Sequence, residues 1–343
     1  MVISEYISSR SAFCFKKNIK VCSWASAGGS KEKDGPIGKY IDIYCPDKEL
    51  NSDSWEKDEN KMVSQTFKLA LEKAGISEKS VDLLFGGDLM NQCTGSSYGL
   101  AEFDVPYAGL YGACSTFAQG VMLASSMIES GLIKTAAVCV CSHFATAERQ
   151  YRFPLDYGAF AEPTAQNTVT GCGAVILSES NDSKDGIFVK TAMPGIVIDR
   201  GIKDAGNMGA AMASAAADTT IRYLKNTGKS ISDFDIIATG DLGAVGHDME
   251  LDILKEYGFE DSGRVLRDCG TMIYDVSCQD VGVGGSGCGC SAVVASALFM
   301  DLLSKGSIKN AVLIGTGAMM SPQSLLQGLS IPSVAHLVSF EKL

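Results

Sequence analysis

Cys114 is the residue in this sequence with the clearest potential for chemistry. It lies in the segment LYGACSTFAQG (110–120), between a short apolar run and the first turn of a predicted helix. A helix N-terminus lowers the pKa of a thiol and presents N–H groups that can hold an anion. Two uses follow: a nucleophile, or a thiol in a binding pocket. A buried structural thiol is the simpler alternative.

The elements that position Cys114 occur twice in the chain. The segment DLLFGGDL (82–89) matches DIIATGDL (235–242), and residues 112–138 match residues 287–313 without a gap. In each copy a helix precedes an apolar strand that ends in Gly-Asp. A Gly-rich turn, a helix and another apolar strand follow.

This alternation predicts an α/β fold of two duplicated halves. Strands that alternate with helices form mainly parallel sheets with helices on both faces. We therefore expect a layered α-β-α-β-α body. The first half, residues 1–195, carries Cys114, and the second half comprises residues 196–343.

Composition excludes several classes of function. The net charge is −11, which argues against nucleic acid and against adsorption to an anionic membrane. No segment reaches the ~18 consecutive apolar residues of a membrane span. Residues 1–21 lack the apolar stretch and cleavage pattern of a signal peptide.

The cysteines favour a reducing compartment over a metal site. Cys139 and Cys141 alternate along an apolar run, as buried thiols of a strand do. The pair Cys288 and Cys290 lacks a second CxxC-type pair and a nearby histidine, so zinc is not expected. We predict no resident metal.

A small-Cys-small turn before a buried helix, in the first of two duplicated halves, resembles the thiolase fold. Within that fold it is similar to condensing enzymes of the β-ketoacyl-acyl carrier protein synthase III type. A closer resemblance is to the stage V sporulation protein AD family of endospore-forming bacteria. It rests on blocks that include KEKDGPIG (31–38), GDLMNQ (87–92), GACST (112–116), SHFATAERQYRFP (142–154), GSGCGCSAVV (285–294) and GTGAMMSP (315–322).

The closer resemblance implies a binding function. That family is associated with binding dipicolinic acid (pyridine-2,6-dicarboxylic acid) and with its uptake into the developing spore. The implied partners are other stage V sporulation proteins that form a membrane channel. The implied location is the periphery of the spore inner membrane, with a role that extends to spore germination.

The resemblance to condensing enzymes also predicts that catalysis is lost. Where those enzymes place a second-half histidine, after the strand DIIAT, this sequence has Gly240 and Asp241. Their later Asn or His falls on or near Cys288. Without a general base, condensation would be slower by orders of magnitude. We therefore expect no catalytic residues, with Cys114 as a relic nucleophile.

A pocket for a small, flat dianion needs N–H donors, cations and apolar walls. The helix after Cys114 supplies donors, His143 and Arg149 could meet carboxylates, and Ca²⁺ could arrive with the ligand. We expect no other cofactor. The predicted ligand-binding residues are Cys114, His143, Asp88, Asn91, Arg149, Ile202, Met208 and Gly285.

Other interpretations stay open at this point. Asp88 is equally consistent with a helix cap or a turn, and His143 with a core histidine. The protein could be an acyltransferase that uses Cys114 with His143, or a structural adaptor with a vestigial pocket. Thiolase-fold proteins pair near the strand that corresponds to YAGLYG (107–112), so a homodimer is expected by analogy.

Overall fold

The computed structural model describes residues 11–46, 53–151, 162–180, 185–259 and 262–343. Within these residues the chain forms thirteen strands. In chain order they are β1 (Phe13–Gly28), β2 (Ile43–Tyr44), β3 (Leu83–Gly87), β4 (Tyr107–Leu110), β5 (Thr135–Ser142), β6 (Asn167–Thr168), β7 (Gly171–Glu179), β8 (Ile187–Met193), β9 (Ile236–Thr239), β10 (Leu266–Asp268), β11 (Gly285–Ser286), β12 (Asn310–Ala318) and β13 (Ser333–Lys342).

Helices cover both faces of the strands. In chain order they are α1 (Ser30–Lys33), α2 (Trp55–Ala74), α3 (Thr94–Leu100), α4 (Thr116–Glu129), α5 (Phe144–Tyr151), α6 (Met208–Thr227), α7 (Gly243–Glu256), α8 (Cys269–Ile273), α9 (Cys288–Val294), α10 (Met300–Ser304) and α11 (Pro322–Leu326). A π-helical turn, Ala295–Phe299, joins α9 to α10. No helix among the described residues is long and apolar enough to span a membrane.

The strand order confirms the duplication. The first half has the order β4-β3-β5-β7-β1, and the second half has the order β10-β9-β12-β13-β8. In both, the first three strands pair in parallel and the last two join antiparallel. β8 occupies the same position in the second half that β1 occupies in the first half. The predicted boundary at residue 195 stays a prediction.

The two sets of strands are connected, although the repeat predicted two separate sheets. β1 is 16 residues long and pairs with β7 on one edge and with β8 on the other. Its length allows both pairings, so eleven strands form one hydrogen-bonded network. β6 and β11 form a second, two-stranded link between the halves.

The helices complete the expected five layers. α2 packs on β1, β5 and β7, and α6 packs on β12 and β13. Between the two sets of strands lie α4 and α9, and α4 contacts strands of both halves. The central helices belong to the largest apolar core, which includes the fully buried Phe117 and Phe299.

Local signals explain where the long helices begin and end. Ser54 caps α2 by accepting a hydrogen bond from the Lys57 amide, and Asn207 caps α6 in the same way from Ala210. Both helices end at a glycine in the left-handed conformation. The caps place the start of α2 at Trp55 and the start of α6 at Met208.

Candidate functional site

Cys114 lies at the start of a helix, as predicted. β4 ends at Leu110, a 3₁₀ turn covers Ala113–Ser115, and α4 follows directly. Ala113 has φ of 51°, a left-handed conformation that is strained for a residue with a Cβ. The Thr116 hydroxyl donates to the Ala113 carbonyl over 2.6 Å and holds this turn. The Cys114 side chain is therefore fixed, and it is buried.

The thiol of Cys114 faces Asp241. Burial raises the pKa of Cys114 well above its ordinary value, and the charge of Asp241 and a hydrogen bond to its carboxyl raise it further. The Gly287 amide lowers this pKa by a smaller amount. The expectation that the helix N-terminus would lower the pKa of the thiol is wrong here, because burial and a neighbouring carboxyl outweigh the helix dipole.

Asp241 lies just after β9, at the position for which the resemblance to condensing enzymes implied a histidine. Its carboxylate accepts hydrogen bonds from the Thr316 hydroxyl at 2.7 Å and the Gly287 amide at 2.9 Å. Burial raises the pKa of Asp241 to about 8, and nearby Asp268 raises it as well. Two adjacent groups with raised pKa values make this a poor place to develop a thiolate.

Cys288 lies beside this pair. Its thiol donates to the Cys141 carbonyl at 2.9 Å. Gly287, just before it, has φ of 95°, and a Cβ there would come within 2.8 Å of the Ser142 hydroxyl. The backbone can place its N–H on Asp241 only because this residue is glycine.

Asp88 and Asn91 serve the loop after β3. Asp88 is fully buried, and its carboxylate accepts hydrogen bonds from the amides of Met90 and Ser96 and from the Ser96 hydroxyl, at 2.7 to 2.8 Å. These bonds hold the loop and the first turn of α3. Asn91 is exposed and accepts a hydrogen bond from the Tyr111 hydroxyl.

His143 and Arg149 border a cleft of about 610 Å³ formed by α1, α2, α5 and neighbouring loops. Aromatic, cationic and acidic side chains share its walls. The lining residues are Ser30, Lys31, Glu32, Asp53, Ser54, Trp55, Asp58, His143, Phe144, Ala145, Arg149, Asn167 and Thr170.

Both predicted ligand cations are held by neighbouring groups. The Nδ1 atom of His143 accepts a hydrogen bond from the Ala145 amide at 3.2 Å, so this ring nitrogen carries no proton. The Arg149 guanidinium forms an ion pair with Glu56 and lies 5.4 Å from the centre of the Trp55 ring.

A second tether joins the same two helices behind the cleft. The Thr146 hydroxyl of α5 donates to the carboxyl of Glu59 of α2 at 2.7 Å. The Cys141 thiol donates to the other oxygen of Glu59. Burial raises the pKa of Glu59 to about 8, and the charge of Asp88 adds to this rise.

Lys31 and Asp58 are cleft residues that sequence reasoning missed. The Lys31 ammonium donates to the Asn167 side-chain oxygen at 3.1 Å and to the Asp280 carbonyl at 2.8 Å. One carboxylate oxygen of Asp58 is buried without a hydrogen-bond partner. The signal for Lys31 was its position three residues after the end of the long strand β1, in a Gly-Gly-Ser-Lys segment.

The remaining predicted residues lie elsewhere. Ile202 and Met208 pack against an apolar cluster that includes Met212, Leu242 and Ile331. Gly285 lies in β11, where its carbonyl accepts a hydrogen bond from the Gln166 amide. The structure thus distributes the eight predicted residues over several places, and only His143 and Arg149 share the cleft.

Metal ligation is not evident in the described part of the chain. Within residues 11–46, 53–151, 162–180, 185–259 and 262–343, no group of three or more His, Cys, Asp or Glu side chains could hold a metal ion.

The chain is similar to known sporulation proteins along nearly its whole length. A family model described as Stage V sporulation protein AD matches residues 9–341. The stage V sporulation protein AD of Bacillus subtilis (strain 168) is 39% identical over 336 residues, which cover 98% of each chain.

Solved structures show the fold. A cerulenin-bound crystal structure of Xanthomonas campestris OleA has a TM-score of 0.61 at 16% identity and covers 95% of this chain and 97% of that one. A second, soaked with cerulenin, has a TM-score of 0.61 at 15% identity, with coverages of 94% and 99%. The fold of this chain is therefore thiolase-like.

Proposed function

The chain belongs to the stage V sporulation protein AD family, and from that premise we propose that it binds dipicolinic acid in the cleft beside His143. Family membership itself supports a role in sporulation. The bound ligand would be passed to a membrane channel formed by other stage V sporulation proteins. The protein would lie at the periphery of the spore inner membrane, held there by these partners.

The observation that carries this proposal is the composition of the cleft. Trp55 and Phe144 offer aromatic faces to a flat ring, and both are more than 40% exposed. His143 and Arg149 supply N–H donors for carboxylates. A concave space with apolar faces and a few placed polar groups is typical of small-molecule sites.

The state of Cys114 supports binding rather than catalysis. A condensing enzyme needs a thiolate, whereas burial and Asp241 raise the pKa of this thiol. The neighbouring Asp241 carboxyl opposes thiolate formation, because its negative charge raises the pKa of the thiol further. We infer that the relic nucleophile is a structural thiol behind the site.

Two acidic residues that border the cleft suggest how calcium would be bound together with dipicolinate. Asp53 and Asp58 border the space, and they would repel a bare dianion. A Ca²⁺ ion carried by the ligand would neutralise that repulsion, because carboxylate oxygens are the ligands that Ca²⁺ prefers. We propose that calcium enters as part of the ligand. Asp58→Asn would then weaken binding of the chelate and strengthen binding of free dipicolinate.

Calorimetric titration with dipicolinate, with and without calcium, tests the proposed function. We expect saturable binding that His143→Ala weakens about tenfold, as expected for loss of one hydrogen bond to a charged ligand. Cys114→Ala should leave the affinity nearly unchanged. Loss of binding in Cys114→Ala alone would instead place the ligand at the relic nucleophile. No binding by the unmodified protein, with or without calcium, would reject the proposal.

We also propose a homodimer formed through β4. This strand ends the strand order of the sheet, and Tyr107 and Tyr111 are exposed beside it. An edge strand offers backbone N–H and C=O groups to a second copy. Light scattering should give about twice the chain mass of 36.2 kDa. A monomer at micromolar concentration would contradict this.

A further inference from the structure

We propose that Lys31 supplies the cleft with a positive charge that is not spent on an ion pair among the described residues, and that it holds one carboxylate of the ligand. This inference rests on the proposed function, because it assigns a further residue to the same site. Its basis is a comparison of the three nitrogen-bearing side chains that border the cleft: His143, Arg149 and Lys31.

The ring of His143 is already engaged on one side. Its Nδ1 atom accepts a hydrogen bond from the Ala145 amide at 3.2 Å. A ring nitrogen that accepts a hydrogen bond has no proton to donate to a carboxylate. The Nδ1 side of His143 is therefore not the group that binds the ligand's charge.

The charge of Arg149 is already balanced. Its guanidinium is paired with the Glu56 carboxylate and stacked on Trp55. A dianion approaching this pair meets a net charge close to zero. Arg149 still has N–H groups to offer, but the attraction it exerts is reduced by Glu56.

Lys31 differs from both. Its ammonium donates hydrogen bonds to two neutral oxygens in the described part of the chain. They are the side-chain oxygen of Asn167 and the backbone carbonyl of Asp280. An ammonium has three N–H donors, so one remains for a ligand. The positive charge stays uncompensated by any ion pair recorded among the described residues.

Hydrogen bonds from neighbouring residues hold the Lys31 ammonium at the cleft. The Asn167 side chain is fixed by donating to the Tyr274 hydroxyl at 3.1 Å, which directs its oxygen at Lys31. The Gln279 amide holds the Lys31 backbone carbonyl at 2.8 Å. The Lys31 Nζ atom lies 5.9 Å from the centre of the Phe144 ring.

Phe144 and Arg149 lie at opposite ends of the α5 segment that borders the cleft. They are five residues apart, about 7.5 Å along a helix axis. A flat ring resting on Phe144 would thus have one carboxylate at Lys31 and could direct the other toward Arg149. A dicarboxylate is the ligand class that uses both ends.

Titration of Lys31→Met with dipicolinate tests the inference, with Lys33→Met as the matched control. Lys33 lies on the same short helix, donates to the Gly38 carbonyl at 3.1 Å and does not line the cleft. Removing the Lys31 charge should weaken binding about ten- to a hundredfold, as for a charge-assisted hydrogen bond. Lys33→Met should change the affinity less than about twofold, since surface charges act weakly at a distance.

Two further readouts separate charge from structure. Added NaCl should weaken binding by the unmodified protein more than binding by Lys31→Met, because salt screens the attraction that the variant lacks. Lys31→Arg should retain most of the affinity, since it keeps the charge.

Equal affinities of Lys31→Met and Lys33→Met would overturn the assignment of Lys31 alone. So would a Lys31→Met loss with unchanged salt dependence and no rescue by arginine. Absence of binding by the unmodified protein would overturn the proposed function as well.

Discussion

At the scale of single residues, Cys114 shows how neighbours outweigh a local rule. The sequence places it at a helix start, and the structure confirms that position. The direction of its pKa shift was nevertheless predicted wrongly, because Asp241 follows a strand of the other half, more than a hundred residues away. No local pattern reports which side chain a folded chain brings against a thiol.

Asp241→Asn should make Cys114 more reactive. The substitution removes the negative charge that raises the pKa of the thiol, and each unit by which that pKa falls increases the thiolate fraction about tenfold. The measurement is the rate of alkylation at Cys114 by iodoacetamide at pH 8, followed by peptide mass spectrometry. The exposed Cys278 serves as the internal reference. An unchanged ratio of the two rates would mean that burial alone protects Cys114.

Lys31 and His143 mark the limit of sequence reasoning about the site. His143 was found because it follows a buried strand, whereas the hydrogen bond that its Nδ1 atom accepts from Ala145 is revealed only by the fold. Lys31 was missed because a lysine in a polar segment is ordinarily a solvated one. Its significance comes from Asn167 and Asp280, which are distant in sequence.

At the scale of elements, repetition was the most informative signal. The matched Gly-Asp turns after β3 and β9 predicted two duplicated halves, and the equivalent strand order of the halves confirms the duplication. The pairing of β1 with β8 was not predictable, since an antiparallel contact between distant strands leaves no spacing to read. The β1–β8 pairing turns two repeats into one network.

Glu59 ties three elements together and should make stability depend on pH. It lies on α2 and accepts hydrogen bonds from Thr146 of α5 and Cys141 of β5. Its pKa rises from 4.5 to about 8 in the folded state, chiefly because it is buried. Between those values the unfolded chain releases the proton that the folded chain retains. The free energy of unfolding should therefore fall as pH rises from about 5 to 8.

Glu59→Gln should flatten this dependence. Glutamine keeps a hydrogen-bonding side chain of the same size but cannot ionise. We expect the difference in unfolding free energy between pH 5.5 and pH 8 to shrink by about 1 to 3 kcal/mol, measured by urea denaturation. Asp241, whose pKa is also about 8, leaves some dependence in the variant. Identical pH profiles for the two proteins would show that Glu59 does not retain its proton.

At the scale of the whole molecule, the cleft depends on both halves. Its walls come from α1, α2 and α5 of the first half, whereas Asp280 and Gln279, which hold Lys31, precede β11 in the second. The net charge of −11 makes one uncompensated lysine matter more, because the surrounding field repels anions.

The two tethers between α2 and α5, Arg149 to Glu56 and Thr146 to Glu59, have a kinetic consequence. Walls joined at both places do not need to separate and close again around a ligand. Dipicolinate should therefore associate in one step, with an observed rate constant that rises linearly with concentration in stopped-flow fluorescence of Trp55. Trp55→Phe identifies the signal. An observed rate constant that levels off at high dipicolinate concentration would instead reveal a slow conformational change. The cleft would then open and close around the ligand, and it would not be a preformed binding site.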